Sequence, residues 1–175
     1  MRKNFRDFKR AVVSPAAYSR APLSKGKQMP KQKVLFICVH NSARSQMGAA
    51  LLNKTCGEFF EAQSAGLEPG TINPLVIDVL QEIGIDISKN GTQRVFDTWK
   101  SGQMFQFVIT VCSEAEAESC PIFPSVTTRL HWPFDDPSKF TGTHEERLAQ
   151  TRRARDQIQA KIDSFCCEHC FETKT

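Results

Sequence analysis

Apolar and polar positions follow two different periodicities along this chain, and these separate predicted strands from predicted helices. Four short apolar runs are typical of buried strands, and they cover residues 33–39, 59–64, 105–111 and 126–132. The connections between them are long enough to hold a helix or a crossover. Because tight turns cannot join parallel neighbours, this arrangement predicts a four-stranded parallel sheet.

Apolar residues three and four positions apart predict helices over residues 45–57, 73–84 and 143–165. Asn73 and Pro74 supply the N-cap and the first-turn proline of the second helix. Thr143 and Glu146 form a capping box at the start of the third helix. Helices packed on a parallel sheet define the α/β class, so we predict a three-layer sandwich.

The composition favours a single soluble domain whose cysteines are free thiols with chemical roles. With 175 residues, 40% of them hydrophobic, the chain can form one full core and is too short for two ordinary domains. No apolar run approaches the ~18 residues of a membrane-spanning helix, so no membrane partner is expected. An odd number of cysteines, seven, and the lack of a secretory hydrophobic region favour a reducing compartment. We therefore expect a cytoplasmic protein, and we expect it to be a monomer.

The positive charge of the chain belongs to its N-terminal segment. Residues 1–33 hold ten Lys and Arg against one acid, Asp7, whereas residues 34–175 hold thirteen against eighteen acids. Prolines interrupt any helix there, so residues 1–32 are predicted to be a disordered extension. The lack of acids also fits an organellar transit peptide or an RNA-binding arm, and Met29 fits a later translation start. We favour an accessory tail with no catalytic duty and no nucleic-acid partner.

A candidate oxyanion-binding loop lies where the first strand ends and the first helix begins. It comprises eight consecutive residues: Cys38, Val39, His40, Asn41, Ser42, Ala43, Arg44 and Ser45. A tetrahedral oxyanion needs backbone N–H groups at a helix N-terminus, a guanidinium for bidentate contact and a nucleophile beneath its central atom. Cys38 supplies the nucleophile, because the same positive potential favours a thiolate. Arg44 supplies the guanidinium.

The other polar residues of this loop have supporting roles in the same interpretation. Ser45 can hydrogen-bond the thiolate, and Asn41 suits a left-handed backbone position that holds the loop open. His40 is expected to be a solvated loop residue and not a catalytic group. An inert buried cysteine with a salt-bridging arginine is the alternative, and the strand before the loop and the helix after it disfavour that alternative.

Four motifs in this chain resemble the low-molecular-weight protein tyrosine phosphatase superfamily, and more closely its thioredoxin-coupled arsenate reductase branch. They are Cys38-x5-Arg44-Ser45-Gln46-Met47, Ser64-Ala65-Gly66, Gly-Ile-Asp-Ile-Ser at 84–88 and His-Trp-Pro-Phe-Asp-Asp-Pro at 131–137. The resemblance covers about residues 33–165. It implies a phosphatase-like fold with a four-stranded parallel sheet and helices on both faces. It also implies that Asp136 is the general acid that protonates the leaving oxygen, with Asp135 a capping or solvated neighbour.

The resemblance to the thioredoxin-coupled arsenate reductases further implies a cascade of three thiols. Cys38 attacks arsenate, Cys112 attacks the adduct and releases arsenite, and Cys120 draws the disulfide out to the surface. The polar segment 113–119 is expected to loop out for that last step. No bound cofactor is implied, and the reductant is an external dithiol protein, thioredoxin or glutaredoxin.

Two other functions stay open on the sequence alone. The first is a low-molecular-weight phosphatase that hydrolyses phosphomonoesters through a phosphocysteine, since phosphate and arsenate differ little in shape. The only tyrosine, Tyr18, lies in the N-terminal extension. The predicted domain therefore offers no tyrosine to contact a phosphotyrosine substrate, which argues against such a substrate. The second is an oxyanion-sensing or partner-binding module. Cys38, Arg44 and Asp136 together argue against it, because binding alone needs neither nucleophile nor acid.

One departure from the reductase pattern concerns a cation. Some relatives place acidic residues near a potassium site where this chain has Ala49 and Arg94, although Asn41, Ser64 and Thr92 remain. This difference argues against tight potassium binding.

The remaining cysteines have no assigned chemistry. Cys56 lies within a predicted helix and is interpreted as a packing residue. Residues 166–175 are interpreted as a Cys-rich tail that contains Cys166, Cys167 and Cys170, with a thiol relay or contact with a metal or soft metalloid ion as alternatives. Adjacent cysteines fit a single closed zinc site poorly, so no metal site is predicted.

Overall fold

The computed structural model describes residues 30–123 and 128–170. Nearly all of the N-terminal extension, the last five residues of the Cys-rich tail and the start of the fourth predicted strand lie outside the described residues. Within the described part of the chain, none of the helices combines the length and the apolar character needed to cross a lipid bilayer.

Four parallel strands form one sheet in the order β2-β1-β3-β4. The strands are β1 (Gln32–Cys38), β2 (Phe60–Gly66), β3 (Phe107–Thr110) and β4 (Thr128–His131). The predicted four-stranded parallel sheet is therefore confirmed. The chain leaves β1 toward β2 on one side and returns to β3 on the other, so the gap between β1 and β3 is the switch point where ligands bind in such sheets.

Within residues 30–123 and 128–170, five helices surround the sheet. They are α1 (Arg44–Cys56), α2 (Pro74–Gln81), α3 (Val95–Lys100), α4 (Glu114–Ala117) and α5 (His144–His169), with a 3-10 turn at Pro137–Lys139. Asn73 Oδ1 accepts a hydrogen bond from the N–H of Leu75 at 3.0 Å, which confirms the predicted N-cap of α2. Thr143 and Glu146 exchange the two hydrogen bonds of the predicted capping box.

Alternate residues of β1 belong to two separate cores, because successive side chains of a strand point to opposite faces. Val34 and Phe36 lie in the first core cluster, which α1, α2 and α5 cover. Leu35 and Ile37 lie in the second core cluster, with α3 and the segment 120–123. Helical or irregular layers on both faces of the sheet give the predicted three-layer α/β sandwich.

Helix α5 continues to His169, four residues beyond its predicted end near Phe165. The ring of Phe165 contacts three aromatic rings of the first core cluster, those of Phe60, Phe107 and Trp132. The next residue, Cys166, is buried as well. Because the packed face does not end at Phe165, the helix continues, and residues 166–169 are helical and not part of a tail.

Two short helices were not predicted, because six and four residues are too few to show a helical period. Helix α4 occupies the polar segment that was expected to loop out. Ser113 and Glu116 form a capping box at its start, with Glu116 Oε2 accepting from the N–H of Ser113 at 3.1 Å. The Ser-x-x-Glu spacing of that box was present in the sequence and could have revealed the helix.

Candidate active site

The oxyanion loop lies at the carboxyl end of β1, where α1 begins. Cys38 is the last residue of β1, and Arg44 is the first residue of α1. The N-terminus of α1 therefore faces the thiol, and the helix dipole and its unpaired N–H groups favour a negative charge there. This is the edge at which the sheet order places a ligand.

The thiol of Cys38 is buried, with 3% of the residue exposed, and it has two close polar neighbours. The hydroxyl of Ser45 lies 2.9 Å from Cys38 Sγ, and the backbone N–H of Asn41 donates to the same sulfur at 3.2 Å. The expected contact between Ser45 and the sulfur is therefore present.

Asn41 determines the shape of the loop. Its φ is +52°, the left-handed conformation expected from the sequence, and its side chain is buried. Asn41 Nδ2 donates to the hydroxyl of Ser45 at 2.9 Å, and its Oδ1 accepts from the N–H of Gln93 at 2.9 Å and from Gln46 Nε2 at 3.4 Å. Sequence reasoning missed both glutamines. Gln93 makes this contact through its backbone N–H, so the identity of its side chain could not have predicted it.

Gly66 lies against the same loop and was also missed as a site residue. A Cβ at this position would lie 2.7 Å from the backbone nitrogen of Asn41 and 2.7 Å from the carbonyl oxygen of Val39. The N–H groups that follow Gly66 hold the loop, since Leu67 donates to the Cys38 carbonyl at 3.2 Å and Glu68 to the Val39 carbonyl at 2.8 Å. Only a glycine permits this approach of β2 to the loop.

Arg44 and Asp136 meet over the loop, although 92 residues separate them. Arg44 Nη2 lies 2.7 Å from Asp136 Oδ2, and Arg44 Nη1 donates to the carbonyl of Phe134 at 3.3 Å. Both side chains of the pair are largely buried, which makes the pair less screened by solvent. Asp136 also caps the 3-10 turn by accepting from the N–H of Ser138, whereas Asp135 is exposed. Of the two neighbouring aspartates, Asp136 is therefore the N-cap of the 3-10 turn, and Asp135 is the solvent-exposed one.

The four other residues of the predicted oxyanion loop are Val39, His40, Ser42 and Ala43. Val39 packs against the first core cluster, and Ala43 is buried as the N-cap residue of α1. The carbonyl of Ser42 accepts from the N–H of Asn73 at 2.9 Å. His40 is exposed, as expected, and its Nδ1 lies 3.1 Å from the carbonyl of Glu68.

Cys112 is a buried free thiol two residues beyond the end of β3, next to β1 in the sheet. Burial raises the pKa of the Cys112 thiol, the charge of Arg44 lowers it, and the charges of Cys38 and Glu116 raise it further. The N–H of Val111 donates to the carbonyl of Ile37 at 2.8 Å, which keeps the residue before Cys112 beside the residue before Cys38. The sequence-based expectation that a strand terminus brings this thiol toward the Cys38 loop fits that placement.

Cys120 is also a buried free thiol, but it packs in the second core cluster, whereas Cys38 and Cys112 belong to the first. Burial raises the pKa of Cys120 to about 12, with smaller contributions from the charges of Cys112 and Cys38. Helix α4 lies between Cys112 and Cys120 along the chain. All three thiols are therefore buried, and the third packs in a different core cluster from the other two.

The residues beside Asn41 do not fit a resident potassium ion. The oxygen of the Asn41 amide already accepts from two N–H donors, those of Gln93 and Gln46, and these donors occupy the directions a cation would need. Ala49 is buried and offers no carboxylate. The adjacent cavity of about 690 Å³ is lined by polar groups that include the positively charged Lys89. Amide groups of Gln46 and Gln93 therefore occupy the Asn41 side-chain oxygen and brace the loop.

The interpretation of Cys56 as a simple packing residue is wrong. Cys56 and Cys166 form a disulfide that joins α1 to α5, with 110 residues between them. The exposed Cys167 and the half-buried Cys170 are free. Sequence reasoning missed this bond because it ended α5 at Phe165 and left Cys166 in a tail.

Fold and loop together define a family. The chain matches the low molecular weight phosphotyrosine protein phosphatase family over residues 33–169, and it belongs to that family. The resemblance stated from the sequence motifs is confirmed.

The similar curated proteins include several arsenate reductases, and the similar solved structures include arsenate reductases and tyrosine phosphatases. The arsenate reductase of Halalkalibacterium halodurans is 40% identical over 137 residues, which make up 78% of this chain and 96% of the relative. A solved arsenate reductase in its phosphate-binding state has the same fold, with a TM-score of 0.65 at 24% identity over 78% of this chain and 98% of its own. The thioredoxin-dependent arsenate reductase of Corynebacterium glutamicum is 29% identical with a TM-score of 0.54, over 78% of this chain and 64% of its own.

Proposed function

We propose that this protein reduces arsenate to arsenite with the thiols of Cys38, Cys112 and Cys120. The observation that carries the proposal is the buried free thiol of Cys112 beside the end of β1, where the N–H of Val111 donates to the carbonyl of Ile37 at 2.8 Å. Hydrolysis of a phosphocysteine by water needs no second thiol, so a phosphatase would have no use for it. The relatives named arsenate reductase support the same conclusion.

The first step forms a covalent adduct on Cys38. The N-terminus of α1 and the guanidinium of Arg44 bind arsenate, and the Cys38 sulfur displaces one oxygen from the As(V) centre. Asp136 protonates that oxygen, which leaves as water. The ion pair between Asp136 and Arg44 holds the acid at the mouth of the loop before substrate arrives.

The next two steps move electrons through thiols. The thiolate of Cys112 attacks the Cys38 sulfur, a disulfide forms, and the electron pair of the broken sulfur–arsenic bond leaves with arsenic as arsenite, As(III). Cys120 then attacks Cys112, releases the Cys38 thiolate and forms the Cys112–Cys120 disulfide. Two thiols are oxidised for each arsenate reduced, so the electrons balance.

The proposed reductant is a dithiol protein of the thioredoxin or glutaredoxin type. The segment after Cys120 presents Ile122, which is 74% exposed, and Trp99 lies beside it with its indole N–H donating to the Ile122 carbonyl at 3.1 Å. An exposed apolar surface next to the resolving thiol suits a docking partner. Because the cascade starts from reduced thiols, we place the protein in the cytoplasm.

We expect the arsenite-forming step to accelerate with pH. Burial raises the pKa of the Cys112 thiol, so only a small fraction of it is thiolate at neutral pH. As long as the pH stays below that pKa, each increase of one pH unit raises the thiolate fraction about tenfold. Single-turnover arsenite formation, measured by rapid quenching from mildly acidic to mildly alkaline pH, should rise accordingly. Hydrolysis of an aryl phosphate, which needs no Cys112 thiolate, is the control. Equal pH profiles for the two reactions would contradict this role for Cys112.

The proposed function is tested by one turnover without a reductant. Fully reduced protein is mixed with arsenate, and arsenite, lost thiols and disulfides are counted, the disulfides by peptide mass. We expect one arsenite per chain and a Cys112–Cys120 bridge, both absent from the Cys38→Ser variant. If all the thiols survive while the protein hydrolyses an aryl phosphate, the protein is a phosphatase and the proposal is wrong.

A phosphatase remains the second candidate, since the Arg44–Asp136 pair over the loop also serves phosphocysteine chemistry. The first step is the same for both oxyanions, and water replaces Cys112 as the second nucleophile. Weak phosphatase activity is therefore expected beside arsenate reduction.

A further inference from the structure

A second group of thiols lies away from the active site. The sulfur atoms of Cys56, Cys166 and Cys170 all lie within 4.8 Å of one another. Cys56 is the last residue of α1, and Arg44 in the loop is its first, so the 13-residue helix separates the two ends by about 18 Å. The group is therefore at the opposite edge of the sheet from Cys38, and none of its members belongs to the proposed cascade.

Helix geometry explains why three sulfurs meet at this place. Cys166 and Cys170 are four residues apart on one side of α5, and the N–H of Cys170 donates to the carbonyl of Cys166 at 2.9 Å. Cys56 approaches them from α1, with 6.5 Å between its Cα and that of Cys166. Cys167, one position along the same helix, is exposed and is not part of the group.

We propose that, once the Cys56–Cys166 disulfide is reduced, these three thiols form a binding site for arsenite. The inference rests on the proposed function in one respect, because arsenate reduction would supply arsenite to the site. The site itself requires only the three sulfur atoms and trivalent arsenic.

Coordination number and charge both favour trivalent arsenic over zinc. As(III) is complete with three thiolates in a pyramid, whereas zinc takes four ligands, and this group of described residues holds three ligand atoms. Three thiolates neutralise As(III), but they leave Zn²⁺ with a net negative charge. Cys56 and Cys166 lie in the first core cluster, and Cys170 packs against it. A neutral complex costs less in such apolar surroundings than a charged one.

The binding reaction balances without a change in the oxidation state of arsenic. A dithiol reductant first gives up two hydrogen atoms to the Cys56–Cys166 disulfide and becomes a disulfide itself. Arsenous acid then condenses with the three thiols. Three As–O and three S–H bonds break, three As–S bonds form, and three water molecules leave.

The test uses the full chain with Cys38, Cys112 and Cys120 replaced by serine, so that the cascade can neither reduce arsenate nor hold arsenite. The protein is reduced with a phosphine and mixed with sodium arsenite, and native mass spectrometry and X-ray absorption report what binds. We expect one arsenic per chain, surrounded by three sulfurs and no oxygen. This result does not depend on whether the parent protein reduces arsenate, so the two proposals can fail separately.

Cys170→Ser and Cys167→Ser, each added to that background, form a matched pair on one helix. Cys170→Ser should weaken arsenite binding at least about tenfold, because it removes one of three linked attachments, and Cys167→Ser should leave binding unchanged. Circular dichroism checks that both variants are folded, and Cys170 at the end of α5 puts folding at less risk than Cys56. Equal binding by the pair, no retention of arsenite, or zinc displacing arsenite from the site would each overturn the proposal.

Discussion

Cys112→Ser should stop arsenate reduction while aryl phosphate hydrolysis continues. The first attack by Cys38 needs no second thiol, but release of As(III) needs a thiolate that attacks the Cys38 sulfur, and a serine hydroxyl cannot form the disulfide. We expect arsenite formation to fall at least about a thousand-fold, as when an essential nucleophile is removed. The measurement compares arsenite formation and hydrolysis of an aryl phosphate by the same preparation.

The matched control for this variant is Cys167→Ser, which removes an exposed free thiol from α5. It should leave both reactions at the parent rate. Arsenite formation by Cys112→Ser at close to the parent rate would exclude Cys112 as the second nucleophile. Loss of both reactions together would show that the substitution damages the loop and does not report on the cascade.

Gly66→Ala should disable both reactions, even though residue 66 contributes no side chain. The added Cβ would lie 2.7 Å from two backbone atoms of the loop, which must then move, and they are held by the hydrogen bonds that follow Gly66. A displacement of this kind costs about a hundred-fold in rate, and overpacking costs about 1–3 kcal/mol of stability. Activity assays and denaturant unfolding measure the two effects.

Gly91→Ala is the control for this substitution, because a Cβ at residue 91 meets no atom within 4 Å. The carbonyl of Gly91, which accepts from Gln46 Nε2 at 3.1 Å, is kept in the alanine variant. Gly91→Ala should therefore retain activity and stability. Parent-like rates in Gly66→Ala would show that the loop tolerates displacement and that its contact with β2 is dispensable.

Local features of the site were predictable, whereas long-range ones were not. Cys38, Asn41, Arg44 and Ser45 lie within eight residues at a strand–helix junction, so their contacts follow from spacing and backbone geometry. The approach of Cys112 follows from the order of parallel strands. Asp136 was identified as the acid only through the family resemblance, and its pairing with Arg44 was not predicted, since 92 residues separate the two.

Two other features depend on packing that no sequence period encodes. Helix α5 continues past Phe165, whose ring contacts Phe60 of β2, Phe107 of β3 and Trp132 just after β4, and the Cys56–Cys166 bond depends on that extra helical turn. Gln93 braces the loop through a backbone N–H, which every residue but proline possesses. Such contacts become visible only when the chain is folded.

The short helix α4 sets the order of events in the proposed cascade. Cys120 packs in a different core from Cys112, and α4 lies between them along the chain, so we expect the second thiol exchange to require this single turn to open. A helix of four residues has little stability of its own, so its opening costs little free energy. Until that exchange, Cys38 stays bound to Cys112 as a disulfide in the proposed cascade, so it offers no free thiolate that newly formed arsenite could bind.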